Sequence, residues 1–262
     1  MKRLLLCASR LSVMADWLYG RNAIREALRA RRRRLQRLLV SSGAQEVGAL
    51  SEIVKLAEQA NLRIERVERQ IIDKRFRDAN HQGVALEAGD YPYAEIAECV
   101  AYAEQQREPA LLLLLDHLQD PQNIGTLLRT AETVGVHGVV LPSRRAAEIT
   151  PAVVNASSGA TEHLRIVMVT NLAQTISAIQ HEGIWAVGVE NDDRAEDFDQ
   201  ADLNMPLALV IGAEGSGLAR LVRERCDFLV RLPMRGQLAS LNASVAGSIV
   251  LYHAWRQRSR DR

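Results

Sequence analysis

Five consecutive leucines, Leu111 to Leu115, narrow the choice of fold more than any other feature of this chain. A continuous apolar run of strand length, ended by Asp116, suits a strand buried on both faces of a parallel sheet, whereas a strand with one wet face would alternate. Five more apolar runs follow, at Gly138–Leu141, Arg165–Val169, Ile184–Val189, Leu207–Ile211 and Phe228–Leu232. Helical segments lie between them, including 119–132, Pro151–Ser158 and Leu172–Gln180. Strands alternating with helices in this way predict a mostly parallel sheet covered on both sides.

The front of the chain is a smaller α/β unit. A helix is expected over Ala23–Arg32 with Ile24, Ala27 and Leu28 inward and Asn22 as its cap. Strands follow at 36–41, 62–67 and 83–88, with helices at 50–60 and 71–75. Asp90-Tyr-Pro-Tyr93 breaks the pattern, and Ala94–Glu108 reads as a polar helical connector. The expected division is a disordered leader over 1–14, a small domain over 15–90, a linker over 91–108 and a larger domain over 109–262. Met14 is then the effective start of the fold.

Charge separates the two parts. Residues 1–90 hold 18 Lys and Arg against 11 Asp and Glu, and the rest of the chain holds 15 against 21, so a net +7 faces a net −6. The basic part is the expected polyanion contact. Arg31–Arg34 alone is equally read as the solvated end of an arginine-rich helix. The front apolar run, Leu4–Ala8, is far shorter than the roughly 18 residues of a membrane span. Arg10 interrupts the run, and without a cleavage site after it a signal peptide is not expected. Cys7, Cys99 and Cys226 are widely separated and match no metal-ligand spacing, so a cytoplasmic protein without a metal is expected.

Three segments of the larger part carry chemistry. In Gln119–Glu132, Ile124, Leu127, Leu128, Ala131 and Val134 form the buried stripe, leaving Asn123 and Arg129 unexplained by packing. Asn123 is read either as a helix cap or as a site residue, and Arg129 either as a site residue or as a surface partner of Glu132. In Gly212-Ala-Glu-Gly-Ser-Gly-Leu218, glycines let a ligand approach backbone at the head of a helix. The order fits neither the dinucleotide nor the P-loop fingerprint, and no glycine-rich loop follows the first strand, which argues against a kinase, a dehydrogenase and a conventional Rossmann-type methyltransferase. The third segment, Leu229–Tyr252, passes from a strand through Pro-Met-Arg-Gly into a helix rich in small residues. Ser240, Asn242 and Ser244 gather at its start, and Leu241, Val245, Ile249 and Tyr252 form one apolar face. The acidic stretch Glu190–Asp202 reads as solvated surface. His81-Gln82-Gly83 is read as an RNA contact or as a turn stabilised by its histidine.

In order and spacing, these three segments resemble the three motifs of the SpoU, or TrmH-like, RNA ribose 2′-O-methyltransferases of the SPOUT class. WLYGRNAIREAL (residues 17–28) and HQGVALE (residues 81–87) resemble the ends of the small substrate-binding domain in the branch that methylates a guanosine of large-subunit ribosomal RNA. The resemblance implies a C-terminal trefoil knot, a homodimer formed through it, and bound S-adenosylmethionine. It implies a cofactor pocket at Val189, Ile211, Gly212, Leu232, Met234 and Leu241. It also implies that Arg129 is catalytic, supplied by the opposing subunit, with Asn123, Glu214, Ser240 and Asn242 supporting it. A transfer RNA substrate and a non-catalytic RNA-binding assembly factor are the alternatives.

Overall fold

The computed structural model describes residues 16–77, 79–143, 148–238 and 240–260, so the leader expected at 1–14 lies outside the described residues. The small unit runs β1 (Asp16–Tyr19), α1 (Arg21–Ala30), β2 (Leu35–Ser41), α2 (Ala49–Gln59), β3 (Arg63–Val67), α3 (Arg69–Arg75) and β4 (Val84–Ala88). Its sheet order is β1-β4-β2-β3, with β4 antiparallel to β1 and β2, and β3 parallel to β2.

Helix α1 starts two residues earlier than its periodicity predicts, and Asn22 is not its cap. Gly20 occupies that position at φ 85°, and the Arg21 amide donates to Gln82 Oε1 at 2.8 Å. Glycine suits the position, because φ 85° is strained for other residues and a Cβ would sit 2.1 Å from Asn155 Nδ2. His81 stabilises its turn: its ring is buried, Nδ1 accepts the Gly83 amide at 3.1 Å, and Nε2 lies 2.6 Å from Asp73 Oδ1.

After α4 (Ile96–Gln106), the larger unit runs β5 (Leu111–Leu115), α5 (Pro121–Thr133), β6 (Gly138–Pro142), α6 (Pro151–Ala156) and β7 (Ile166–Val169). It continues with α7 (Leu172–His181), β8 (Trp185–Val189), β9 (Glu196–Asp197), β10 (Leu207–Ile211), α8 (Arg220–Arg225), β11 (Phe228–Arg231) and α9 (Ala243–Arg260). The sheet order is β7-β6-β5-β10-β8-β11-β9, and every pairing given for it is parallel. All five leucines of β5 are at most 2% exposed and pair residue for residue with Leu207–Ile211. Burial of this order contributes about 1.5–3 kcal/mol per leucine.

The Ala94–Glu108 stretch is more than a polar connector. A reciprocal box between Glu95 and Glu98 caps α4, which buries Cys99 and Ala103 against the sheet. The approach is so close that a Cβ on Gly138 would lie 2.4 Å from Cys99 Sγ.

One other expectation is corrected. The acidic loop is structured: it carries β9, buries Ala195 and Ala201, and sets Asp197 Oδ1 2.8 Å from Arg231 Nε. Helix α9 turns the opposite face inward from the one its large apolar residues mark. Ser244, Gly247, Val250, Leu251 and Ala254 are buried, whereas Leu241, Val245, Ile249 and Tyr252 are 42%, 44%, 38% and 49% exposed. Close approach explains this, because a Cβ on Gly247 would meet Leu127 at 2.7 Å and Ile211 at 3.0 Å. At this position nothing larger than glycine fits between α9 and its neighbours.

The two units share one hydrophobic core. Where they meet, Arg33 and Glu162 form a two-pronged ion pair, Nη2 to Oε1 at 2.8 Å and Nε to Oε2 at 3.1 Å, with both side chains at most 1% exposed. The Arg33 guanidinium lies 4.7 Å from the centroid of Tyr91, whose hydroxyl donates to the Thr161 carbonyl at 2.7 Å.

Candidate active site

The carboxyl ends of β8, β10 and β11 converge on a cavity of about 460 Å³. In parallel sheets ligands gather at this end, where strand order departs from sequence order. Val189, Ile211, Leu232, Met234 and Leu241 supply apolar wall, and Gly212 supplies bare backbone. Glu214, Ser240 and Asn242 stand in the same wall.

The glycines are there for contact reasons. A Cβ on Gly212 would lie 2.3 Å from the Gly217 backbone, and one on Gly217, at φ 65°, would lie 2.4 Å from Glu190 Oε1. Ala213 and Gly217 exchange backbone hydrogen bonds at 3.1 and 3.0 Å, closing the loop on itself. This loop does not present a helix N-terminus to the cavity. The Ala219 amide ahead of α8 instead donates to buried Asp116 Oδ2 at 2.7 Å, which anchors the loop from below.

Asn242 organises the polar side. Its Oδ1 accepts the amides of Ser244 at 2.9 Å and Val245 at 3.2 Å, capping α9, and accepts the Ser244 hydroxyl at 2.6 Å. Its Nδ2 is then turned outward and donates to Asn123 Oδ1 at 2.9 Å and to Glu214 Oε1. Asn123 is buried behind Asn242 and also accepts from Ser244 Oγ at 3.1 Å. It is not the cap of α5. Asp120 fills that role, accepting from Gln122 and Asn123 amides at 3.3 and 3.2 Å ahead of Pro121.

Arg129 stands apart from this cluster. Six residues along α5 from Asn123, which is about 9 Å of rise, it is exposed, and its Nη1 donates to Ser158 Oγ at 3.4 Å. It does not line the cavity of its own chain, and it forms no ion pair with Glu132 among the described residues.

Glu190 also lines the cavity, although the stretch that holds it reads in sequence as solvated surface. The available signal was its position directly after the apolar run of β8. Arg223 Nε lies 3.2 Å from Glu190 Oε2 and also pairs with Asp192. The nearby Cys226 is no nucleophile, since burial, reinforced by Asp227, Asp116 and Glu190, pushes its thiol up to about 12.

The model of the SpoU rRNA methylase family matches residues 110–252, and that of the RNA 2′-O ribose methyltransferase substrate-binding domain matches 17–94. The chain belongs to the SpoU family. It is 43% identical over 249 residues to YacO of Bacillus subtilis, which bears a provisional name as a TrmH family tRNA/rRNA methyltransferase; the match covers 95% of this chain and 98% of that one. The SpoU methyltransferase AviRb from Streptomyces viridochromogenes, crystallised with AdoMet, has the same fold (TM-score 0.78, 24% identity, 94% of this chain and 91% of that). A structure described for 2-OH methylation of C/U34 on tRNA is matched over 99% of its chain by only 59% of this one (TM-score 0.52, 25% identity).

The SpoU chain is therefore an S-adenosylmethionine-dependent RNA methyltransferase of the ribose 2′-O type, with a substrate-binding domain in front. The cavity suits that cofactor. Apolar residues from three strand ends offer a slot for a flat base, while Glu214 adds a carboxylate to the wall, which suits a cofactor that carries positive charge. Arg231, which also lines the wall, is engaged by Asp197.

Proposed function

We propose that this SpoU protein methylates the ribose 2′-hydroxyl of a guanosine in large-subunit ribosomal RNA, acting as a cytoplasmic homodimer. The observation that carries the reading is the chain of bonds from Asn123 through Asn242 to Glu214, set in the wall of the cofactor cavity. The small domain supports a ribosomal target, since the tRNA enzyme noted above is matched without the remainder of this chain.

When bound, S-adenosylmethionine supplies an electrophilic methyl group. Val189, Ile211, Gly212, Leu232, Met234 and Leu241 hold its adenosine through apolar contact and backbone. Asn242 fixes the Glu214 carboxylate, which receives the proton as the 2′-oxygen gains the methyl. Arg129 grips the adjoining phosphate and polarises the hydroxyl; a guanidinium stays protonated near neutrality and is a poor base. Ser240 orients the ribose. Orientation of this kind raises the rate by holding the hydroxyl in line for displacement.

Two chains complete the site. The exposed stripe Leu241, Val245, Ile249 and Tyr252 is the kind of apolar surface that a second copy covers. It adjoins α5, where Thr130 Oγ1 lies 2.9 Å from Ser248 Oγ, so pairing along α9 delivers Arg129 to the opposing cavity. The trefoil knot belongs to the same proposal, supported by Leu232, Met234 and residues 240–242 lining one cavity together with residues 212–217.

The test is methyl transfer from labelled S-adenosylmethionine to total ribosomal and transfer RNA, with the modified ribose mapped. Label on a guanosine of the large-subunit RNA is expected. Label confined to transfer RNA moves the substrate to that class, and label in neither pool refutes catalysis.

A further inference from the structure

The two end motifs of the small domain, WLYGRN and HQGV, have no part in the methyl-transfer site, yet the fold brings them together. Arg21 and Gln82 meet beside the turn that follows β2, and with Ser42, Gly43, Glu68 and Arg69 they frame a separate cavity of about 520 Å³. Gln82 holds Arg21 twice, its Oε1 accepting the backbone amide at 2.8 Å and its carbonyl accepting Nε at 3.3 Å. Gln82 reaches this position through a left-handed backbone at φ 53°. The terminal nitrogens of Arg21 have no carboxylate within ion-pair distance among the described residues. An arginine tethered at Nε with its fork left open is prepared for a phosphate.

Two observations point to an RNA nucleotide rather than a bare anion. Glu68 and Gln70 share the wall with the two arginines, so the cavity offers acceptors suited to base edges as well as a phosphate grip. The cavity is also joined to the methyl-transfer machinery by one short turn. Gly20, beside Arg21, rests on Asn155, whose Nδ2 donates to the Tyr19 carbonyl at 3.1 Å. Three residues on, Ser158 donates its amide to the Asn155 carbonyl at 2.9 Å and accepts Arg129 at 3.4 Å through its hydroxyl.

We infer that the cavity between Arg21, Gln82, Gly43 and Arg69 is a second RNA subsite, which receives a nucleotide flanking the methylated one and registers the strand against Arg129. The inference rests on the RNA methyltransferase reading. Arg21→Ala removes the fork, and Gly43→Phe fills the cavity without changing charge. Gly43 tolerates the ring, since its backbone is not left-handed and a Cβ there meets nothing within 4 Å.

The probe is a fluorescently labelled single-stranded RNA of random sequence, with S-adenosylmethionine binding and thermal melting measured on the same preparations. Each variant is expected to bind the RNA at least about tenfold more weakly, with cofactor affinity and melting temperature unchanged. For Arg21→Ala the dependence of log K on log salt becomes shallower by about 0.7. Wild-type RNA affinity in both variants overturns the subsite. The two readings fail separately: a wild-type protein that methylates RNA while both variants bind normally loses only the subsite, and one that methylates nothing while both variants lose RNA binding loses only the activity.

Discussion

Asn242 performs two tasks with opposite ends of one amide, and replacing it by aspartate separates them. In Asn242→Asp the oxygen that accepts the Ser244 and Val245 amides is kept, so the cap of α9 survives and the negative charge favours the helix start. The donor is lost, and an oxygen now faces Asn123 Oδ1 and the Glu214 carboxylate. Two carboxylates about 4 Å apart repel by about 1 kcal/mol in water and about 4 kcal/mol at a surface-like dielectric. Both residues are exposed, so the lower part of that range applies. Repulsion of that size raises the pKa of the pair by about one unit. Thermal melting at neutral pH should stay near that of the wild type, while methyl transfer falls by at least about a hundredfold. As pH is lowered toward 5, the pair takes up a proton, a donor is restored, and the fraction of wild-type activity retained should rise. Asn242→Ala is the companion: it loses the cap, at about 0.5–2 kcal/mol, and leaves Asn123 Oδ1 to the Ser244 hydroxyl. An aspartate variant that turns over like the wild type at pH 8 would refute the role given to the Nδ2 donor.

Arg129→Ala should abolish methyl transfer while cofactor affinity, followed by calorimetry, changes less than a few-fold; retained turnover would remove Arg129 from the site. Val245→Glu places a charge in the exposed α9 stripe, and light scattering should show monomers where the wild type gives dimers, with activity lost alongside. Gly212→Ala drives a Cβ into the Gly217 backbone at 2.3 Å, so cofactor affinity should drop at least about tenfold and stability by about 1–3 kcal/mol. His137 is held below its ordinary value of 6.5 by burial, and its Nδ1 accepts the Leu111 amide. The unfolded chain therefore takes up the proton first as pH falls below about 6.5, and stability should decline from there toward pH 5. His137→Gln should flatten that part of the curve measured by denaturant titration.

The sheet was legible because its strands are written as unbroken apolar runs. Leu111–Leu115 needed no partner to be recognised, and Leu207–Ile211 lies beside it in exact register. The cavity was legible through glycines and small residues, since backbone approach at Gly212 admits no side chain. What the sequence concealed were choices made by distant contacts. The start of α1 depends on Gln82 and Asn155, far away in the chain, so Asn22 has the composition of a cap without the position of one. Periodicity finds a face of α9 but not which way it turns; Gly247 against Leu127 and Ile211 decides that, and the large apolar residues are left outside. Asn123 looked like a cap because it lies in the first turn of α5, yet Asp120 and Pro121 had already filled that need.

The same contacts bear on the proposal that the small domain and the methyl-transfer site act on one strand of RNA. A flexibly tethered domain would bind RNA without fixing which ribose reaches the cavity. Here Arg33 and Glu162 are wholly enclosed, so opening the interface strands charge in an apolar setting, and breaking such a pair by removing one partner costs about 3–5 kcal/mol. Glu162 closes the 3-10 turn Ala160–Glu162, which begins two residues after Ser158, the partner of Arg129. Gly159 between them touches α1, where a Cβ would lie 2.7 Å from Glu26. The segment 155–162 is thus held by the small domain on one side and holds Arg129 on the other. In the proposed mechanism the docked small domain thereby also positions Arg129, through Ser158, and a loosened Arg33–Glu162 pair should lower turnover even though neither residue lies in the cavity.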